Sequence, residues 1–200
     1  MNLAQSFKIL SSSAPGAYAR ALRAIGQDLA DLFPDSVEIQ VYGEKFVVRG
    51  QCTKERLAAK QAAYQDKGLR SFCAGMLARD VLTLGHQAKS ATVPFERTYT
   101  SEDVNQVDEI GKRRRFGAGK IPDIRSLAEL LRTIGRLVDG QGGVLTKIFK
   151  DARRVVFEYS DAAGKSHNEI MSTPDLHKLQ KGFYEKRTAP SGADPWQNRK

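Results

Sequence analysis

The sequence predicts an α+β fold: two helix–β-hairpin–helix repeats around an antiparallel sheet, with the helices on one side. Three observations carry that expectation. Leu22-Arg23-Ala24-Ile25-Gly26 returns as Leu131-Arg132-Thr133-Ile134-Gly135, an offset of 109 positions (26 to 135). The same offset aligns Phe46-Val47-Val48 with Val155-Val156-Phe157. In both halves a stretch of helical periodicity is followed by segments that alternate like half-buried strands. A repeat of this kind implies that each copy buries its apolar face against the other.

Taken in order, Ser11-Ser12-Ser13-Ala14-Pro15-Gly16 has the composition of a helix entry or linker. Tyr18, Ala21, Leu22, Ile25, Leu29, Leu32 and Phe33 then recur at helical spacing, until Pro34 ends the pattern through its missing N–H and its ring. Residues 37–41 alternate apolar with Glu38 and Gln40, the period of a strand. Tyr42-Gly43-Glu44-Lys45 reads as a tight turn into residues 46–49, completing a hairpin. Thr53 suits an N-cap before an alanine-rich helix over residues 57–64. Residues 69–84 resume helically, with Phe72, Cys73, Met76, Leu77, Val81 and Leu84 on one face.

The middle of the chain is less regular. Val93, Phe95, Arg97 and Tyr99 alternate, but Pro94 assigns residues 92–100 to an edge strand or extended connector. Ser101-Glu102-Asp103 opens a helix with a cap and acids, and Lys112 to Arg115 close it with cations, so both ends complement the macrodipole. Phe116-Gly117-Ala118-Gly119 reads as a flexible loop, and Ser126 caps the second long helix, residues 127–138. A second hairpin (144–149 and 154–159) turns through Lys150-Asp151-Ala152-Arg153 and is extended by a third strand, 166–171. Ser172-Thr173-Pro174-Asp175 starts a helix reaching about Lys186. Residues 188–200 read as a disordered tail.

Tyr64 and Tyr184, 120 positions apart, lie near the ends of the helices that follow the two hairpins. The unit is therefore read as long helix, hairpin, basic helix. It divides the chain into a first repeat (1–85), a basic connector with a short strand and helix (86–125), a second repeat (126–187) and the tail. The sheet is expected to hold five or six strands.

Composition narrows the function classes. No apolar run approaches the roughly 20 residues that span a bilayer, and Met1 to Leu10 lacks the pattern of a secretory signal. Cys52 and Cys73 are the two cysteines of the chain. Two solitary cysteines favour buried thiols in a reducing compartment, so a cytoplasmic protein is expected. The net charge is +9 and the pI near 9.6, which favours association with nucleic acid, acidic proteins or anionic surfaces. Over residues 112–125 stand Lys112, Arg113, Arg114, Arg115, Lys120 and Arg125 against Asp123, a local excess of +5.

Catalytic patterns are missing from the sequence. His86, His167 and His177 have no ligand-like spacing to one another or to a cysteine pair, so no metal site is expected. Cys73 sits on an apolar helical face, where burial makes a thiol inert. Cys52 stands at a helix start that would lower its pKa, but no histidine is near in sequence to act as base. Gly117-Ala118-Gly119-Lys120 has Arg114 and Ile121 where a phosphate loop needs glycine and a hydroxyl residue. Glu102, Asp103, Asp108 and Glu109 are read as solvated.

What remains is Lys112-Arg113-Arg114-Arg115-Phe116-Gly117-Ala118-Gly119-Lys120. Guanidinium groups match phosphate oxygens in bidentate geometry, glycines admit close approach, and Phe116 offers a stacking face. Lys54, Arg56, Lys60, Lys67, Lys178, Lys181, Lys186 and Arg187 are candidates to join the patch. Glu38, Gln40 and Glu158 would make the exposed sheet face negative and unsuited to phosphate. The sequence therefore predicts a non-enzymatic nucleic-acid-binding protein that uses Lys112, Arg113, Arg114, Arg115, Phe116, Lys120 and Arg125, with no cofactor and no membrane contact. The competing expectation is an adaptor that docks an acidic protein through the same segment, and oligomeric state is left open.

Overall fold

The computed structural model describes residues 17–66, 73–74, 92–115 and 126–188. Helix α1 (Ala17–Leu29) tightens into a 3-10 turn (Ala30–Leu32) and leads to the hairpin β1 (Val37–Tyr42) and β2 (Lys45–Thr53). Helix α2 (Lys54–Gln65), β3 (Cys73–Ala74), β4 (Thr92–Tyr99) and α3 (Ser101–Arg115) follow. The second half runs α4 (Leu127–Gly140), β5 (Val144–Lys150), β6 (Arg154–Ser160), β7 (Ser166–Ser172) and α5 (Thr173–Thr188). The fold is α+β, with an open antiparallel sheet in the order β3-β4-β2-β1-β5-β6-β7. Six strands are substantial and β3 adds two residues at one edge.

Alternation builds the core. Val37, Ile39 and Val41 of β1, Phe46, Val48 and Cys52 of β2, and Val155, Phe157 and Tyr159 of β6 are buried on one face. They meet Leu22, Ile25 and Leu29 of α1 and Leu131, Ile134 and Val138 of α4 in a single cluster. The two long helices cross closely enough to exclude side chains. A Cβ on Gly26 would stand 2.6 Å from Ala128 Cα, and one on Gly135 would stand 2.5 Å from the Ala19 nitrogen. Glycine is required at both positions because backbone meets backbone. Asp139, near the end of α4, accepts from the Tyr18 and Ala19 amides at 3.1 and 2.9 Å, so one half of the chain caps the first helix of the other.

The centre of the sheet is a pairing between distant strands. Ile39 of β1 lies opposite Ile148 of β5, and Val37, Glu38 and Gln40 oppose Lys150, Phe149 and Lys147. Within the hairpins Ile39 faces Val48 and Ile148 faces Phe157. A bulge between Leu145 and Lys147 restores the inward phase, and Leu145 is fully buried. A third strand lies outside each hairpin: Phe46 faces Tyr99 of β4, and Val155 faces Met171 of β7.

Several local expectations need correction. Among the described residues the helices are not clearly gathered on one side. α1 and α4 pack on each other, α3 leans on α1, and α5 leans on α4. Phe33, expected in the core, has φ 44° and is 67% exposed, because the chain turns into the left-handed region ahead of Pro34. Cys73, placed on a helix by its apolar neighbours, lies in β3, where pairing with Glu96 sets the backbone. Residues 92–99 are not an edge, since β4 pairs with β2 along its length and takes β3 at Phe95 and Glu96 on its other side. Thr100, in place of Ser101, caps α3. The remainder of the helix predicted over 69–84 and the tail beyond Thr188 lie outside the described residues.

Candidate functional site

The predicted basic segment begins on a firmly held helix. Thr100 Oγ1 accepts from the Asp103 amide at 3.3 Å, while Asp103 accepts from the Thr100 amide and hydroxyl at 2.9 and 2.7 Å. Val104 and Val107 are buried in the core. Arg20 of α1 binds Asp108 at 3.4 Å and donates to Asn105 at 2.8 Å. Lys112, Arg113, Arg114 and Arg115 form the last turn of this α3. Phe116, Lys120 and Arg125 lie outside the described residues, as do the loop glycines and His86. Asp103 and Asp108 are not solvated: both are buried, one as a reciprocal cap and the other as the partner of Arg20.

The cations expected on α2 divide. Arg56 stacks its guanidinium 4.7 Å over the exposed Phe33 ring. Lys60 turns inward and is buried, so it does not contribute to a surface patch. On α5, Lys178 is largely exposed and pairs with Asp175 at 3.5 Å.

Lys60 belongs to a constellation that sequence patterning did not reveal. Asp28, on the inner face of α1, is surrounded by Lys60 and Tyr64 from α2 and by Arg97 and Tyr99 from β4, all buried. Arg97 and Tyr99 each reach Asp28 Oδ2 at 2.7 Å. Tyr64 donates to Oδ1, and Lys60 Nζ stands 3.2 Å from that oxygen and 2.6 Å from the Asp28 carbonyl. The Arg97 guanidinium lies 4.5 Å from the Tyr64 ring and 4.3 Å from the Tyr99 ring. Burial, and then the Asp28 charge, raise the hydroxyl pKa of both tyrosines, so they remain donors. A carboxylate offers about four lone-pair sites; that of Asp28 accepts from Tyr64, Arg97 and Tyr99 and forms an ion pair with Lys60. The cluster clamps α1, α2 and β4 together.

The outer sheet face differs from the negative surface expected. Glu38 pairs with Lys147 at 3.1 Å and accepts from Gln40 at 2.8 Å. Arg49 pairs with Glu96 at 2.7 Å and donates to Gln40 at 3.2 Å. Glu38 and Glu96 there each meet a cation, so the face mixes both signs. At its far end a shallow depression of about 430 Å³ is lined by polar groups, including Thr146, Glu158, Ser160 and Asn168.

Among the described residues, Cys52 and His167 are held in structural surroundings. Burial pushes the Cys52 thiol pKa up, opposite to the effect considered for a helix start. His167 is engaged by Asp161 at 2.9 Å and stacks on Tyr159 at 4.9 Å. Among the described residues no group of three metal-ligating side chains converges, and no helix is long and apolar enough to cross a membrane. Neither a family model, a curated protein nor a solved structure matches this chain.

Proposed function

We propose that this chain is a non-enzymatic nucleic-acid-binding protein whose phosphate contacts come from Lys112, Arg113, Arg114, Arg115, Lys120 and Arg125, with Phe116 as a stacking face. The observation that carries the reading is the concentration of +5 of the net +9 charge in residues 112–125. Supporting it, the four consecutive cations close a helix whose other end is held by the Thr100–Asp103 cap and by Arg20. Cations on an anchored helix forgo less conformational freedom on binding than cations on a free segment. The Asp28 carboxylate is engaged by groups of its own buried cluster, which favours a binding role over catalysis.

The scaffold behind this segment is, on the same proposal, a duplication. The unit is better taken as helix, hairpin, third strand, helix than as the helix, hairpin, basic helix of the sequence pattern. Supporting it, Ile39 pairs with its own offset mate Ile148, and Gly26–Ala128 is mirrored by Gly135–Ala19. β4 and β7 occupy corresponding places, and α3 and α5 follow them directly. Residues 54–91 are then an insertion in the first unit, and α3, instead of α2, is the counterpart of α5.

A salt series tests the function. Each phosphate neutralised contributes a slope of about −0.9 in log K against log[salt] on duplex DNA, and about −0.7 on single strands. Replacing Arg113, Arg114 and Arg115 by glutamine is expected to flatten the duplex slope by up to about 2.7 and to weaken binding across sequences alike. Absence of binding to any nucleic acid at low salt refutes the proposal and leaves an acidic protein as the partner to seek.

A further inference from the structure

An antiparallel strand turns its amide groups alternately to its two sides, so a strand at the end of a sheet presents every second residue's N–H and C=O outward. β7 is such a strand: among the described residues its neighbour is β6 alone. The turn between them sets the phase. Asp161 N–H donates to the Lys165 carbonyl at 2.9 Å, making 161 and 165 a hydrogen-bonded pair. The register then makes Ser160/Ser166, Glu158/Asn168 and Val156/Ile170 the pairs without mutual bonds. Ser166, Asn168 and Ile170 therefore direct their amide groups out of the sheet. All three are exposed, Ile170 to 66%.

At the other end of the sheet the corresponding place is filled. β4, the third strand of the first half, takes β3 on its outer side at Phe95 and Glu96. β7, the third strand of the second half, has no such cover among the described residues.

We propose that β7 pairs antiparallel with β7 of a second copy, about a twofold axis at Asn168. The strand is self-complementary in that register. Asn168 meets the partner's Asn168, and Ser166 meets the partner's Ile170, all with outward amides. On the inner face His167 comes opposite the partner's Glu169, and Glu169 opposite the partner's His167, so an imidazole meets a carboxylate twice. A twofold at Glu169 would instead set two carboxylates against each other, a destabilising pair. Outside the strand, Phe149 and Val156 lie in one row with Ile170 across the outer face. That row gives the junction an apolar flank. Such an isologous contact closes on itself and yields a dimer with one continuous sheet.

Light scattering on the full chain across roughly 1–500 μM, the span of weak to moderate self-association, is expected to show a monomer–dimer equilibrium. Asn168→Pro removes an outward N–H without touching the ladder to β6, and Glu169→Lys replaces the carboxylate that faces the partner's His167 with an ammonium that cannot accept a hydrogen bond from the imidazole. Each is expected to weaken dimerisation at least about tenfold with an unchanged circular dichroism spectrum. Asn168→Cys should form a disulfide-linked dimer on mild oxidation, because residues opposed in a hydrogen-bonded pair have Cα atoms about 5.5 Å apart. Ser166→Cys should not, its two copies being about 14 Å apart. A monomer throughout the range overturns the proposal. So does a dimer indifferent to both Asn168→Pro and Glu169→Lys, or preferential cross-linking through Ser166→Cys.

Discussion

Replacing Gly26 by alanine sets two physical effects against each other, and the structure decides the sign. In a helix interior alanine is favoured over glycine by about 1 kcal/mol. The new Cβ, however, would lie 2.6 Å from Ala128 Cα and 2.9 Å from its nitrogen, both backbone atoms that no rotamer change can move aside. Relief requires α1 and α4 to part by about 1 Å, which forfeits a quarter to a half of the dispersion attraction across the seam. Overpacking of this kind costs about 1–3 kcal/mol. With the upper end of that range, as befits a backbone obstacle, the net loss is about 2 kcal/mol, or a fall of about 4–8 °C in Tm for a chain of this length. Gly140, near the end of α4, has nothing within 4 Å of its Cβ position. Gly140→Ala is accordingly expected to be neutral or stabilising by up to about 1 kcal/mol. Gly135→Ala should resemble Gly26→Ala, and the double variant should cost less than the two together, because one displacement relieves both contacts. Urea unfolding measures all four. If Gly26→Ala tracks Gly140→Ala, the close crossing is wrong.

Two further perturbations probe the polar framework. Asp28→Ala leaves Lys60 and Arg97 buried around a missing carboxylate and is expected to cost about 3–5 kcal/mol in urea unfolding; a loss below about 1 kcal/mol would mean that the clamp is not formed. The hydrogen bond from His167, followed by the Lys165 amide, holds the Asp161 carboxyl below its ordinary value of 3.8. A depressed folded pKa gives a contribution that is complete above the unfolded value and is lost as pH falls through the folded one. Asp161→Asn should therefore lower Tm by a constant amount at neutral pH, with the gap to wild type closing in acid below about pH 4. A gap that stays open at low pH contradicts that assignment.

Much of the framework is written in local pattern. Thr53 and Ser126 accept from the Arg56 and Glu129 amides as their positions before helical runs suggest. Gly43, at φ +58°, turns the first hairpin, as its place in Tyr42-Gly43-Glu44-Lys45 suggests. Patterns fail where tertiary contact overrules them. The apolar spacing around Cys73 reads as helix, yet its backbone pairs with β4. Phe33 continues the apolar stripe of α1 but falls beyond the last turn. The buried cluster was signalled faintly: Asp28 interrupts the apolar series of α1, and Arg97 stands at an inward position between Phe95 and Tyr99. Two charges in apolar phase on separate elements suggest a buried pair, but only the fold brings them together. The chemistry of Lys112 to Arg115 is the reverse case. Composition alone makes it conspicuous, and the fold adds how the helix bearing it is anchored.

The pairing of β1 with β5 also dictates an order of events during synthesis. Residues 37–42 leave the ribosome more than 100 residues ahead of the strand that completes their side of the sheet. At about 5–20 residues per second this leaves an open strand edge for roughly 5–20 s. The first amides of α1 wait longer still for Asp139, 120 residues or more downstream. A chain halted before Asp139 carries both an unfinished edge and an uncapped helix, and is exposed to association with other nascent chains. Translation speed between residues 42 and 150 is therefore a determinant of yield for this fold.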